Sequence, residues 1–430
     1  MGGLTGNLAA VASGSSFTAP KGTRDVLAPE SGRWAALVAR FAEAVEQAGY
    51  GLVVSPMFED LAVFQRVGES TDIVTKEMYD FHDKGGRHIA LRPEGTASVV
   101  RAFVQHRPTE VPWKAWYVGP NFRYERPQAG RYRQHHQLGI EALGSHDPDL
   151  DVEVIALQAD FYRSLGLTRV DLVINSMGTP ADRAAYAKLL GAWLTERLDA
   201  LDPADRATAE TNPMRVLDSK RDRTRAVVEE APRTLDALST EAAAHFERVR
   251  SGLDDLGIDH RIEPRLVRGL DYYTHTTFEF QASALESAQN GIGGGGRYDG
   301  LAEALGGPPT PGVGFGSGVE RILLACDAED VFANGGVTAP VFVVDVVDGT
   351  HARRLTSELR RAGIGADRAF DDRSMKSQMK TADRSGAAFA VIVGEDEVVS
   401  GEVTVRDLRH GGDQERLRLA DLVEHLRKRL

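Results

Sequence analysis

The chain predicts an α+β core, a mostly antiparallel sheet flanked by helices, which carries a helical insertion and is followed by a separate α/β domain. Three observations lead there. Short strand candidates recur at 88–91, 115–118, 137–143, 170–174 and 276–280, yet few are separated by helices long enough for parallel crossovers. From 178 to 257 the chain turns rich in Ala, Arg, Asp and Glu and poor in β-branched residues, with a helical period. After an Asn334-Gly335-Gly336 break and Pro340, strand and helix patterns alternate to the end. The expected boundaries are a flexible tail over 1–19, the core over 20–177 and 258–330, the insertion over 178–257 and the last domain over 336–430.

The first helix spans 31–49. Trp34, Leu37, Val38, Phe41, Val45 and Ala48 follow helical spacing, Ser31 is placed to cap the start and Gly49 to end it. A strand over 50–54 follows and stops at Pro56, which cannot donate to a ladder. In the last domain, strands are expected at 341–347, 389–393 and 403–408, and a helix from about 351. A terminal helix should carry Leu419, Leu422, Val423, Leu426 and Leu430 on one face.

A length of 430 residues allows two to four domains, and 42% hydrophobic with 27% charged residues excludes wholesale disorder. The single cysteine, Cys326, excludes a disulfide framework and any cysteine-built metal site, and its helical context predicts a buried, inert thiol. Net charge is 51 − 63 = −12, so a uniformly basic nucleic-acid coat is excluded while local patches are not. No apolar run reaches the length of a membrane helix. No Lys or Arg precedes Lys21, which argues against a secretory or mitochondrial leader and for a cytoplasmic protein.

Glycines invite over-reading. Gly291, Gly293 and Gly296 match G-x-G-x-x-G, but the preceding residues are no buried strand, so a dinucleotide site is rejected; nor is there a P-loop. The run at Gly293 to Gly296 instead lets the backbone approach another strand or a ligand. His135-His136 lacks ligand partners at metal spacing. Three arginine segments say more. Arg123 to Arg133 holds four arginines and one glutamate, +3. Arg268 sits in Leu266-Val267-Arg268-Gly269-Leu270-Asp271-Tyr272-Tyr273, and Arg321 follows the glycine-rich strand beginning at Gly312. Guanidinium forks match phosphate oxygens two at a time. Each arginine could instead pair with a carboxylate such as Glu125, Asp271 or Glu320; together, the three favour a polyphosphate.

The chain resembles the histidyl-tRNA synthetase family. Arg92-Pro93-Glu94-Gly95-Thr96, the Phe122 to Pro127 run, Arg131-Tyr132-Arg133-Gln134 with His136-Gln137, and Leu266 to Tyr273 carry the likeness. Lys21-Gly22-Thr23-Arg24-Asp25, Thr211-Asn212-Pro213, Leu217-Asp218-Ser219-Lys220, and Met375-Lys376-Ser377-Gln378 through Asp383 extend it from about Pro20 to the C-terminus. The resemblance implies a class II synthetase catalytic core with an anticodon-binding domain, in a cytoplasmic homodimer built on the first helix and strand. It implies ATP-dependent activation of L-histidine and its transfer to the 3′ end of tRNA(His), with magnesium, and without membrane or DNA partners. No segment resembles an editing domain.

Residue by residue, the likeness makes Arg123, Arg268 and Arg321 catalytic. Arg123 and Arg268 match the α-phosphate arginines and Arg321 the γ-phosphate one, and Glu125 matches the glutamate near adenine. Glu94 and Thr96, with Gln137, match the amino-group contacts. Glu141 and Tyr273, with Tyr272, match the contacts to the imidazole, and Gly95, Arg123 and Arg268 complete the histidine site. Arg126 is placed like the arginine at the tRNA end. No metal ligand is assignable. In the last domain 353–384 carries nine basic and five acidic residues, +4, in a segment from 335 onward that balances 16 to 16. Two alternatives stand beside this one: a regulatory subunit of ATP phosphoribosyltransferase, and a synthetase for proline, threonine or glycine.

Overall fold

The computed structural model describes residues 17–68, 71, 73–217, 219–267, 272–286, 290–333, 339–371, 373–411 and 414–430. Arg268 with its neighbours through Asp271, Asp218, the 334–336 break and the tail before 17 therefore lie outside the described residues. The chain forms two compact units, Met1–Gly335 and Gly336–Leu430.

The first unit is organised by an eight-stranded sheet in the order Gly51–Leu52, Trp113–Phe122, Gln134–Leu143, Gly312–Gly318, Gly291–Arg297, Thr274–Ala282, Val170–Ser176 and His260–Ile262. Only the two outermost pairings are parallel; every inner one is antiparallel. One face is apolar. Leu138, Ile140, Phe278 and Phe315 meet the helices Glu30–Gln47, Pro148–Ser164 and Val319–Glu329 through Leu37, Phe41, Val45, Ile155, Phe161 and Ile322. Phe41 is the hub, edge-on to Phe161 at 5.1 Å, Trp116 at 6.0 Å and Phe315 at 6.1 Å. Cys326 is buried here, which pushes its thiol up to about 11.

The first helix keeps the expected face but not the expected cap. It runs Glu30–Gln47 with Pro29 at the N-cap and no side-chain cap, so Ser31 is helical rather than capping. Gly49 follows the helix at φ +84°, a left-handed conformation that suits glycine. The strand expected over 50–54 shrinks to Gly51–Leu52. His88–Leu91 forms as a strand, but in a separate three-stranded sheet between Phe58–Asp60 and Tyr79–His82. Those partners alternate too little to be read in advance. This small sheet packs with the helices Leu61–Gly68 and Thr96–His106 and delivers Arg92 to Thr96 to the main sheet.

Between 177 and 228, Tyr186, Leu190, Leu194, Met214 and Val216 form a core of their own. The following helix, Thr240–Asp255, instead sends Phe246, Val249 and Leu253 into the main core. Beneath the sheet Arg297, wholly buried, meets the equally buried Asp151 at 2.6 Å and donates to the Ser145 carbonyl at 2.8 Å. Its guanidinium is thus satisfied as a buried charge must be.

The second unit is a five-stranded sheet in the order Ala366–Arg368, Val341–Asp345, Phe389–Val393, Glu402–Asp407, Gln414–Arg418. The first three strands run parallel and the last two antiparallel. Its helices Thr350–Arg361 and Leu422–Arg429 bury Leu355, Leu359, Leu422 and Leu426 against Val343, Val391 and Val403. The terminal helix is shorter than its leucine pattern: Leu419 lies in the preceding turn, and both Leu419 and Leu430 are exposed.

Backbone packing at the sheet centre has a testable consequence. A Cβ on Gly295 would overlap the Gly314 carbonyl oxygen and Phe315 Cα of the adjoining strand. Gly295→Ala should therefore lower stability by about 1–3 kcal/mol, whereas Gly300→Ala, with no atom within 4 Å and negative φ, should be neutral in the same melting experiment.

Candidate active site

Side chains alternate across a strand, so register decides which residues share a face. Glu141 stands opposite Gly314, Gly139 opposite Gly316 and Gln137 opposite Gly318. Gly316 pairs onward with Gly294 and Gly314 with Gly296; Tyr117 lies opposite Gly139, and Glu279 opposite Gly294. The face away from the apolar core is thus a floor nearly free of side chains, fringed by polar ones. The glycines make the room. A Cβ at Gly314 would overlap the Glu141 carboxylate, and one at Gly316 the Gln137 amide.

Over this floor runs a cleft lined by Arg123, Glu125, Arg131, Gln137, Glu279, Glu320 and Arg321, with Gly291, Gly293, Gly316 and Gly318. Arg123 Nε donates to the Pro93 carbonyl at 2.9 Å, and Arg321 Nη1 to the Gly291 carbonyl at 2.6 Å. Among the described residues neither forms an ion pair with a carboxylate. The acids that could have neutralised them are otherwise engaged. Glu125 faces Arg131 at 3.4 Å; Glu320 accepts the His136 backbone N–H at 3.0 Å and meets its Nδ1 at 2.9 Å. Burial, then the charge of Arg131, lowers the Arg321 pKa from its ordinary value. His135 lines the same cleft, and burial with the nearby Arg123 pushes it down to about 3, so its ring is neutral.

At the Tyr117 side the polar groups close in. Thr96 Oγ1 donates to Glu141 Oε1 at 2.7 Å, and the Tyr298 hydroxyl donates to Glu141 Oε2. Gln137 Oε1 accepts from Asn121 Nδ2 at 2.9 Å and from the Gly95 N–H at 3.3 Å. Burial pushes Glu141 up to about 8, so its carboxyl is mostly protonated at neutral pH. Glu94 is buried too and its pKa is raised, chiefly by desolvation. Its two oxygens accept the backbone N–H groups of Thr96 at 2.7 Å and Ala97 at 2.8 Å, as a carboxylate capping the helix Thr96–His106 would. Tyr272 and Tyr273 lie 4.7 Å apart between centroids with their rings tilted by 48°, and Tyr272 meets Tyr298 edge-on at 5.7 Å.

The fold therefore brings Arg123, Glu125, Gln137 and Arg321 into one cleft. Gln137 joins it to the group formed by Glu94, Gly95, Thr96 and Glu141, with Tyr272 and Tyr273 beside Tyr298. Arg126 is exposed and does not line the cleft. Arg268 lies outside the described residues. Sequence reasoning missed Tyr117, Tyr298, Asn121 and Glu279. Only register could have found Tyr117 and Glu279, because each stands in line with Gly139 or Gly294 across a ladder. The opening Lys21 to Asp25 segment braces the arginine loop: the Gly22 carbonyl accepts the Arg133 N–H at 2.7 Å, and Arg24 lies 5.2 Å from the Tyr132 ring.

A family model described as histidyl-tRNA synthetase matches residues 22–322, and one described as an anticodon binding domain matches 341–429. The histidine–tRNA ligase of Corynebacterium kroppenstedtii is 49% identical over 419 residues, 96% of this chain and 97% of that one. The crystal structure of apo S. aureus histidyl-tRNA synthetase is 37% identical, covers 95% of this chain and 99% of its own, and superposes with a TM-score of 0.80. A Bacillus halodurans chain titled ATP phosphoribosyltransferase regulatory subunit/histidyl-tRNA synthetase shares the fold at 22% identity and a TM-score of 0.60, covering 82% of this chain and 92% of its own. With the mostly antiparallel sheet, the glycine floor and the second unit, these matches make the chain a member of the histidyl-tRNA synthetase family.

Proposed function

We propose that the chain is a histidine–tRNA ligase that joins L-histidine to ATP as histidyl-adenylate, releases diphosphate, and transfers the histidyl group to the 3′ end of tRNA(His) with release of AMP. The observation that carries this is the pair of guanidinium groups, Arg123 and Arg321, held over a glycine floor with no described carboxylate against them. The first step brings the anionic histidine carboxylate to an anionic α-phosphate. A new bond forms from carboxylate oxygen to phosphorus as the bond to the β-phosphate bridging oxygen breaks. Fixed cations stabilise the charge gathered on the equatorial oxygens without reorganising. In this reading Arg123 serves the α-phosphate, Arg268 does the same from the segment outside the described residues, Arg321 holds the γ-phosphate, and Glu125 lies toward adenine.

Glu94, Gly95, Thr96 and Gln137 receive the amino group; Glu94 caps a helix through one lone pair on each oxygen and keeps others free. Glu141, Tyr272 and Tyr273 receive the imidazole. Such a site rejects ligands that leave its buried polar groups unpaired. Glu279, which lines the cleft, would suit a magnesium ion, which takes one or two carboxylates along with phosphate oxygens. When bound, such an ion neutralises phosphate charge. Arg126, exposed beside the cleft, is left for the tRNA end. The intact arginines and the second unit favour this reading over a regulatory subunit. The protein is read as cytoplasmic; no described helix is long and apolar enough to cross a membrane.

A second copy is the proposed partner of the sheet edge. Next to the two-residue edge strand, Leu52, Val54, Met57 and Phe58 are each at least half exposed, Val54 by 85%. Apolar side chains clustered at an open edge mark an interface.

Three outcomes follow. Arg123→Gln or Arg321→Gln should cut histidine-dependent exchange of labelled pyrophosphate into ATP by about 10²–10³ while leaving the melting curve in place; unimpaired exchange in both would overturn the reading. Leu52→Asp with Val54→Asp should convert a species of about twice 46.7 kDa in light scattering to one of 46.7 kDa. The third concerns pH. Glu141 titrates at about 8 in the folded chain against 4.5 as a free side chain, so between those values the unfolded state sheds a proton that the folded state keeps. Its contribution to stability is therefore lost as pH rises through that window. Glu141→Gln removes the loss, and its melting temperature relative to the parent should climb steadily from pH 5 to pH 8.

A further inference from the structure

Arg92 stands at the head of the Arg92 to Thr96 segment, yet its side chain does not line the cleft. It is 5% exposed, and among the described residues it forms no ion pair. Of the carboxylates whose charge bears on it, Glu59 accepts from Arg101 Nε at 3.1 Å, and Glu94 caps the helix Thr96–His106. A buried cation without a counter-ion is costly, and burial lowers the Arg92 pKa from its ordinary value. Carbonyl partners leave Arg123 and Arg321 open to the cleft; Arg92 is closed in by them.

Its Nε donates to the Pro120 carbonyl at 2.9 Å, and its Nη1 to Ser55 Oγ at 2.8 Å and to the Ser55 carbonyl at 3.3 Å. The main chain of the same residue joins the same two segments. Its N–H donates to the Met57 carbonyl and its carbonyl accepts the Phe122 N–H, both at 2.9 Å. Place in the sheet explains the pattern. The edge strand Gly51–Leu52 pairs with Trp113–Phe122 only at Ala115 and Trp116, so the Pro120 carbonyl and the Phe122 N–H have no strand beside them on that side. Arg92 takes the vacant place, and only a long side chain with donors set in a rigid plane reaches all three side-chain acceptors at once. The strand makes room for it, since a Cβ on Gly119 would overlap Nη2.

The next residue carries the consequence. Proline has a fixed φ and the residue before it is confined to extended backbone, so the step from Arg92 to the Pro93 carbonyl has little slack. That carbonyl is the one that orients Arg123 through its Nε at 2.9 Å, and Glu94, Gly95 and Thr96 follow directly. We propose that Arg92 is a positioning residue for adenylate formation: its guanidinium fixes the Pro93 carbonyl, and through it Arg123, against the strand Trp113–Phe122. The assignment rests on the ligase reading and adds to it a residue that touches neither histidine nor ATP. It also gives Gly119 a purpose, which is to admit the Arg92 head group.

The test is pyrophosphate exchange in the full chain, with melting curves alongside. Arg92→Gln should lower exchange about 10²-fold, the loss that a small misplacement of a reacting group produces. Arg92→Lys keeps the charge without the fork and should lose nearly as much; parental exchange in it would overturn the assignment. Gly119→Ala pushes the guanidinium aside while leaving it in the chain, and should lower exchange about ten-fold or more. Adding Gly119→Ala to Arg92→Gln should lower it no further, because the shorter side chain clears the new Cβ. The decisive readout is coupling. A residue that acts through Arg123 has little left to lose once Arg123 is gone, so Arg92→Gln in an Arg123→Gln background should lower exchange by less than about ten-fold. A further loss of about 10²-fold there would make Arg92 a stability residue only and overturn the proposal, as would parental exchange in Arg92→Gln alone. Should Arg92→Gln fail to melt cooperatively, Gly119→Ala decides: parental exchange in it overturns the proposal, and a loss that vanishes in the Arg123→Gln background supports it. Absence of exchange in the parent chain would strike the ligase reading instead.

Discussion

The catalytic face depends on what its central strands lack. Gly294 and Gly296 on one strand, and Gly314, Gly316 and Gly318 on the next, point no side chain into the cleft. Glycine weakens a strand, since it loses more freedom on folding and packs nothing. The cost is carried by the opposite face, where Phe278, Phe315, Leu138 and Ile140 close the main core. One alternation thus separates the two jobs of the sheet, stability below and access above. It also explains why Gln137 and Glu141 can lie flat across neighbouring strands: nothing there stands in their way.

A floor without side chains binds nothing firmly by itself. The binding charge comes from the rim, and what matters is that it is not cancelled there. Arg123 and Arg321 are steadied by carbonyl oxygens of Pro93 and Gly291, which orient a guanidinium without neutralising it. Arg297, one strand away, shows the contrast, since it is wholly buried and paired with Asp151. The same residue type is structural where it meets a carboxylate and available where it meets a carbonyl. Glu320 and Glu125 complete the arrangement by being held on His136 and Arg131.

Much of this was legible in the chain. The strand candidates at 115–118, 137–143, 170–174 and 276–280 lie within inner strands of the main sheet, the glycine run proved to be a close approach between strands, and the arginine segments around Arg123 and Arg321 converged on one cleft. What escaped was set by contacts distant in sequence. Ser31 has the chemistry of a cap, but the helix starts at Glu30, where that residue also meets Arg24. His88–Leu91 reads like any other strand, and only its neighbours assign it to the smaller sheet. The leucines at 419 and 430 continue a helical period past the ends of the helix itself. Glu94 shows the converse limit: its bonds to the Thr96 and Ala97 N–H groups give it a capping role that a motif cannot separate from ligand binding.

Charge placement resolves an apparent conflict between an acidic chain and a polyanionic partner. At −12 overall, the protein repels nucleic acid at long range, which suppresses non-specific binding. Attraction then has to be local, and the arginine loop after Phe122, +3 within an acidic chain, is one place that supplies it. Discrimination under such conditions rests on local contacts that only a fitting partner makes, and a chain that is acidic elsewhere enforces that requirement better than a basic one would.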